Sequence, residues 1–329
     1  MNKIDLHAHY VPDFYREALL AAGHAQPDGI KAIPEWDSSL ALQTMDRLDV
    51  RTAMLSISSP GVHFGDGGKA SELARLVNEE GARLVAAHPA RFGFFASLPV
   101  PEIDAAVEEV RFALDVLGAD GIVLETNQQG MYLGDERLEP VYAEVAARNS
   151  VVFVHPTTPF GAEHLALGYP RPMLEFMFET TRSIADLVLS GTLGRHQGMR
   201  VIVPHAGAAL PVLVNRIELL LPLLTRDGEG EVPSVRDAMR GLHFDLAGAP
   251  VAELLRALLA VADSHRIHYG SDFPFTPVDS CVELARRLET TSLLDGELRE
   301  EVFSRNARRL FPRLAHAERP QQTPGDQSL

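Results

Sequence analysis

Five side chains able to bind a metal ion stand at the ends of short apolar runs. They are His7 and His9 in IDLHAHYVP, His155 in VVFVHP, His205 in RVIVPHAG and Asp272 in IHYGSDFPF. Neutral imidazole and carboxylate are ligands of zinc and related divalent ions, and a catalytic site keeps one coordination position open for water or substrate. His7 and His9 are two residues apart. On a strand such positions point the same way, so two imidazoles meet at one point in space. Three histidines and one aspartate make a ligand set, with one histidine left over.

These residues need a scaffold that brings distant strand ends together. Eight runs rich in β-branched and aromatic residues read as strands: 2–7, 52–58, 92–98, 120–126, 150–156, 199–205, 241–246 and 266–272. Amphipathic stretches separate them at 37–48, 69–88, 102–118, 135–148, 170–190, 208–224 and 249–264, and a helix pair, 278–289 and 294–309, follows the last strand. In the stretch 102–118, Ile103, Val107, Val110, Leu114 and Leu117 recur at helical spacing. Eight strands alternating with helices predict an α/β fold, the (β/α)8 TIM barrel, whose catalytic groups sit at the C-terminal strand ends. A doubly wound sheet usually carries a glycine-rich turn after its first strand. Here that turn is HAHYVPDF, without glycine. One domain is expected over 1–315, followed by a polar tail at 316–329. Two loops read as insertions: 23–36 between the first strand and its helix, and 225–234 before a short helix.

The 329 residues carry 46% apolar side chains, enough for a sizeable core, and a net charge of −15. That charge argues against a nucleic-acid partner, which needs a basic surface. Cys281 is the single cysteine, so neither an intrachain disulfide nor a thiolate cluster is available. No signal peptide and no membrane-spanning run are seen, and a cytoplasmic enzyme is the expectation.

The segments DLHAHYVP, VFVHP, VPHAGAALPVLVNRI and HYGSDFPF resemble the amidohydrolase superfamily, and within it the branch of decarboxylases related to aminocarboxymuconate-semialdehyde decarboxylase. A nearer match is the 6-methylsalicylate decarboxylase group, through the loop Gly23 to Trp36 and the stretches Leu55–Gly61, Arg91–Pro99, Val152–Pro159 and Tyr169–Phe176. The resemblance covers about residues 3 to 312. It implies that His7, His9, His155 and Asp272 bind one divalent metal, zinc ahead of manganese, and that no organic cofactor is used. It leaves His205 as an unligated acid/base. It assigns Arg216 to a substrate carboxylate, reaching into a neighbouring subunit's pocket in a homodimer, with the apolar segment 170–191 as a contact surface. Glu125 is read as non-ligating.

The implied reaction is decarboxylation of an ortho-hydroxy aromatic acid, 6-methylsalicylate giving m-cresol and CO2. The phenol and carboxylate chelate the metal, and Asp272 or His205 delivers a proton to the ring carbon. Hydrolysis of a lactone or amide at the same metal is the alternative. His24, in the 23–36 insertion, is expected to reach the substrate. Trp36, Phe273, Phe160 and Phe275 are expected as apolar walls.

Overall fold

The computed structural model describes residues 2–224 and 233–316. Eight parallel strands follow one another around a barrel: β1 Lys3–His9, β2 Val50–Ser56, β3 Phe92–Ser97, β4 Gly121–Glu125, β5 Val151–His155, β6 Arg200–Val203, β7 His243–Asp245 and β8 Ile267–His268. The barrel closes where Asp5 and Ala8 of β1 bridge Tyr269 and Phe273, in parallel. The (β/α)8 expectation is met, with each strand inside or overlapping its expected run. The last run was expected to extend to residue 272. Regular pairing ends at His268, because the chain beyond it meets β1 through single bridges. The 225–234 loop falls mostly outside the described residues, as does nearly all of the 316–329 tail; the expected short helix is present as Val235–Gly241.

Two interiors result from strand alternation. Ile4, Leu6, Met54, Phe95, Val123, Val151, Phe153 and Ile202 fill the barrel, closed below by Leu310, Phe311 and Leu314. Alternate residues such as Phe94, Ile122, Val152 and Val201 face the helices. The helix Ile103–Asp115 buries Ala106, Glu109, Val110 and Ala113 most deeply. The larger Ile103, Val107 and Leu114 flank that line and are only partly buried. The small alanines let the helix approach closely, and buried Glu109 accepts hydrogen bonds from Arg75 and Asn78. Several short elements were not foreseen, among them two on the rim side of the barrel and the short helices Ala162–Leu165 and Thr192–Arg195. The helix Asp13–Ala21 follows β1 and buries only Tyr15 and Leu19, too thin a stripe to stand out. A two-stranded ribbon pairs Asn127–Gln128 with Met131–Tyr132. The helix expected over 170–190 starts at Glu175, after a 3-10 turn at Arg171–Met173 that carries Pro172.

The first strand departs from simple alternation at a decisive place. Asp5 pairs with Ala53 and Ala8 with Leu55, so β1 uses three steps where β2 uses two. This bulge changes the parity of the strand. Ile4 and Leu6 face the barrel core before it, and His7 and His9 face the same interior after it. The Asp5 carboxylate secures the bulge: its Oδ1 accepts from the backbone N–H of His7 and of Ser271, each at 3.0 Å. Asp5→Asn retains that acceptor oxygen, whereas Asp5→Ala strands two buried N–H groups. Asp5→Ala is expected to cost about 2–4 kcal/mol in urea unfolding, and Asp5→Asn clearly less. Equal losses would show that the two hydrogen bonds do not hold the bulge.

Candidate metal centre

Each ligand candidate is presented by a strand end. His7 and His9 follow the β1 bulge, His155 ends β5, and Asp272 lies four residues beyond β8. One ligand atom from each of the four lies within 4.8 Å of the others. His7 and His9 are fully buried, with ring centroids 5.0 Å apart, and the His155 ring stands 4.8 Å from that of His9. Asp272 Oδ1 is 3.3 Å from His9 Nε2 and 3.6 Å from His7 Nε2. Asp272 itself has φ 61°, a left-handed conformation unusual for aspartate, and its N–H donates to the His7 carbonyl at 2.7 Å.

The orientation of the imidazoles is fixed from behind. His7 Nδ1 lies 2.9 Å from Asp245 Oδ2 at the end of β7. His9 Nδ1 lies 3.0 Å from Ser56 Oγ. Their Nε2 atoms are buried and have no hydrogen-bond partner. Buried nitrogens are rarely left without a partner. Two that converge beside an ionised carboxylate are what a divalent ion requires, so the residues present fit one.

The electrostatics agree. Burial pushes His9 down and His155 far down, so both are neutral, as ligands must be. Burial alone would raise Asp272. The surrounding imidazoles of His205, His9 and His7 hold it well below the usual carboxylate range. For His7, burial pulls downward, but the Asp245 carboxylate overcomes it and lifts the imidazole to about 9.

His205 stands beside this group and outside it. Its Nε2 is 3.9 Å from Asp272 Oδ2, and its backbone N–H donates to Asp245 Oδ1 at 3.1 Å. It occupies a tight turn with φ 54°, followed by Ala206 at φ 55°. Gly248 leaves the room its ring needs, since a Cβ there would lie 3.1 Å from His205 Cδ2. Above the site opens a cleft of about 470 Å³ whose lining includes His155, His205 and Asp272. Phe176, Met173, Met177, Leu254 and Phe275 give it apolar walls, while Asp28, Ser58 and Thr276 add polar points.

The remaining expected residues are placed differently. The 23–36 insertion does fold over the cleft, but it presents Asp28 and Ile30. His24 turns away and packs on Phe64, with ring centroids 5.2 Å apart. Trp36 is buried in the outer core against Tyr10. Phe273 faces a small interior cavity beside Asp5 and Ala8, and Phe160 is 68% exposed. Phe275 alone of the expected aromatic walls lines the cleft, and it also packs on His9. Arg216 stands exposed on the helix Leu210–Leu224 and is not among the residues lining its own chain's cleft. Glu125 lies outside the four-residue group, behind His155.

The Amidohydrolase family profile matches residues 4–313. The chain belongs to the amidohydrolase family. Among relatives, the 6-methylsalicylic acid decarboxylase of Aspergillus aculeatus is 40% identical, over 96% of this chain and 98% of that protein. A crystal structure described as amidohydrolase II is 36% identical with a TM-score of 0.88, covering 94% of this chain and all of that one. A dihydroxybenzoic acid decarboxylase from Polaromonas, with bound manganese and the inhibitor 2-nitroresorcinol, shares the amidohydrolase fold at 22% identity and a TM-score of 0.81, covering 95% of this chain and 97% of that one. Among the described residues no helix is long and apolar enough to cross a membrane.

The raised His7 makes metal uptake a proton-releasing event. At pH 7.5 a group titrating near 9 is mostly protonated, and an ion arriving at Nε2 displaces that proton. Calorimetric titration of metal-free protein with a divalent ion, in buffers of different ionisation enthalpy, is expected to report about one proton released per ion. Buffer-independent heats would show that His7 is neutral before the ion arrives.

Proposed function

We propose that the chain is a metal-dependent, non-oxidative decarboxylase of an ortho-hydroxy aromatic carboxylic acid, converting 6-methylsalicylate to m-cresol and CO2. The observation that carries this is the group His7, His9, His155 and Asp272 at the floor of an apolar cleft, with His205 beside it and unengaged by the group. The name and near full-length coverage of the Aspergillus aculeatus relative support the substrate. Three imidazoles and one carboxylate suit zinc, and manganese is the ion held by the Polaromonas enzyme.

A bound divalent ion would supply Lewis acidity to adjacent phenolate and carboxylate oxygens of the substrate. The rest is done by side chains. Asp272, ionised at rest, accepts the phenolic proton and delivers it to the ring carbon that bears the carboxylate. The new C–H bond interrupts aromaticity, and cleavage of the C–C bond to CO2 restores it. His205, 3.9 Å from Asp272, relays a solvent proton that regenerates the phenol of m-cresol. Phe176, Met177 and Phe275 exclude water and seat the methylated ring.

The same reading completes the site with a second subunit. Among the described residues the cleft lining contains no arginine or lysine, yet an aromatic carboxylate calls for one. On the helix Leu210–Leu224, Arg216 shares an exposed face with Val212, Leu219 and Leu223, at 63%, 66% and 70% exposure. Exposed Leu167, Tyr169 and Met173 on the loop after β5 extend the apolar surface available for contact. Such surface marks a protein interface. In a homodimer formed through this face, Arg216 serves the other copy's cleft.

Purified protein with 6-methylsalicylate is expected to yield equal amounts of CO2 and m-cresol. Hydrolysis of a lactone or amide without CO2 release would replace this reading with a hydrolase. Asp272→Ala and His155→Ala are expected to lose metal and activity together. His205→Ala keeps the metal and loses about 10²–10⁴-fold in kcat; a metal-free His205→Ala protein would reverse those roles. Arg216→Ala is expected to raise KM about 10–100-fold, the worth of a charged hydrogen-bonded pair, and Leu219→Asp to yield monomers by light scattering. An unchanged KM, or a monomeric parent protein, would remove Arg216 from the site.

A further inference from the structure

His7 and His9 each have Nδ1 occupied by a protein acceptor, whereas His155 has no such bond. Its Nδ1 is buried without a partner, and so is Glu125 Oε2. The two atoms face each other 3.5 Å apart, on side chains only 3% and 7% exposed. Glu125 and His155 are register partners on β4 and β5, and the Thr126 N–H bonds the His155 carbonyl at 2.8 Å, so the strand ends cannot drift apart. Gly61, at φ 75°, lets the second strand's loop press on the glutamate, since a Cβ there would lie 3.3 Å from Glu125 Cγ. On its other side, His155 Nε2 lies 3.4 Å from Ser58 Oγ, and Ser58 lines the cleft.

We infer that Glu125 is the positioning residue of the third imidazole. It accepts a hydrogen bond from His155 Nδ1–H and so commits Nε2 to the ion, as Asp245 does for His7 and Ser56 for His9. The inference rests on the metal centre proposed above. It explains why an acidic residue stands inside the barrel beneath the cleft without joining the ligand group. A carboxylate behind a ligating imidazole fixes the tautomer and raises ligand basicity, and losing it typically weakens metal binding 10–100-fold. The same carboxylate is not required to touch substrate.

The test is zinc affinity in competition with a chromogenic chelator. Glu125→Leu is expected to bind zinc 10–100-fold more weakly than the parent. Glu125→Gln, whose amide oxygen still accepts from Nδ1–H, recovers most of the loss. Leucine binding as tightly as glutamate would overturn the assignment. Should Glu125→Leu fail to fold, a crystal structure of the zinc-loaded parent decides. The Nδ1 to carboxylate distance is expected to close below about 3.2 Å with Nε2 on the ion. An ion on Nδ1, a second ion on Glu125, or a gap that stays at 3.5 Å would each contradict the inference. These readouts are affinity and geometry, so they stand apart from whether 6-methylsalicylate is turned over.

Discussion

An imidazole has two nitrogens, and the site depends on which of them the protein takes for itself. Asp245 and Ser56 occupy the Nδ1 atoms of His7 and His9. The Nε2 atoms are thereby left buried, aimed at one spot and without partners. Leaving such atoms unsatisfied in a dry interior is costly. The fold accepts that cost only where an ion repays it, and Asp272, held ionised beside them, supplies the negative charge. The β1 bulge, the left-handed backbone at Asp272 and the turn at His205 all serve this convergence. Strained backbone gathered at one rim is what a preorganised site looks like from the main chain.

The barrel around the site divides its labour by height. Below the ligands, Phe153, Phe95 and Leu6 fill the interior, and the Phe153 ring packs 5.0 Å from His7. Behind the ligands Asp245 and Ser56 orient the imidazoles of His7 and His9, and Asp5 holds the His7 backbone. Above them the loops after the strands shape an apolar cleft in which a hydroxy-acid can be desolvated. Side-chain direction, set by strand parity, assigns each residue its layer. A shift of one residue in β1 would send both histidines to the helix side.

Much of this was legible in the sequence. The eight apolar runs mark the strands because strands buried on both faces read as continuous hydrophobic stretches. His7, His9, His155, His205 and Asp272 were visible because each closes such a run. The supporting role of the carboxyls was not: Asp5, Asp245 and Glu125 sit within or at the end of runs such as KIDLH, HFDL and IVLET, where only the register reveals which way they point. Nor can a sequence show that β1 carries a bulge, which follows from pairing with β2. Of the expected aromatic walls only Phe275 lines the cleft, for a related reason. Trp36 and Phe273 serve the core as well as they would serve a cleft, and only their packing tells the two apart. In the 23–36 insertion His24 was expected at the substrate, but the loop, left-handed at Asp28, presents Asp28 and Ile30 to the cleft and packs His24 on Phe64.

The central claim is a single ion held by three imidazoles and one carboxylate with room for substrate. X-ray absorption at the edge of the bound metal tests it most directly. Three imidazole nitrogens and one carboxylate oxygen at about 2.0–2.2 Å are expected, plus at least one exchangeable light atom that changes when an aromatic acid is added. A first shell with fewer than three imidazoles, or one closed to the added acid, would contradict it.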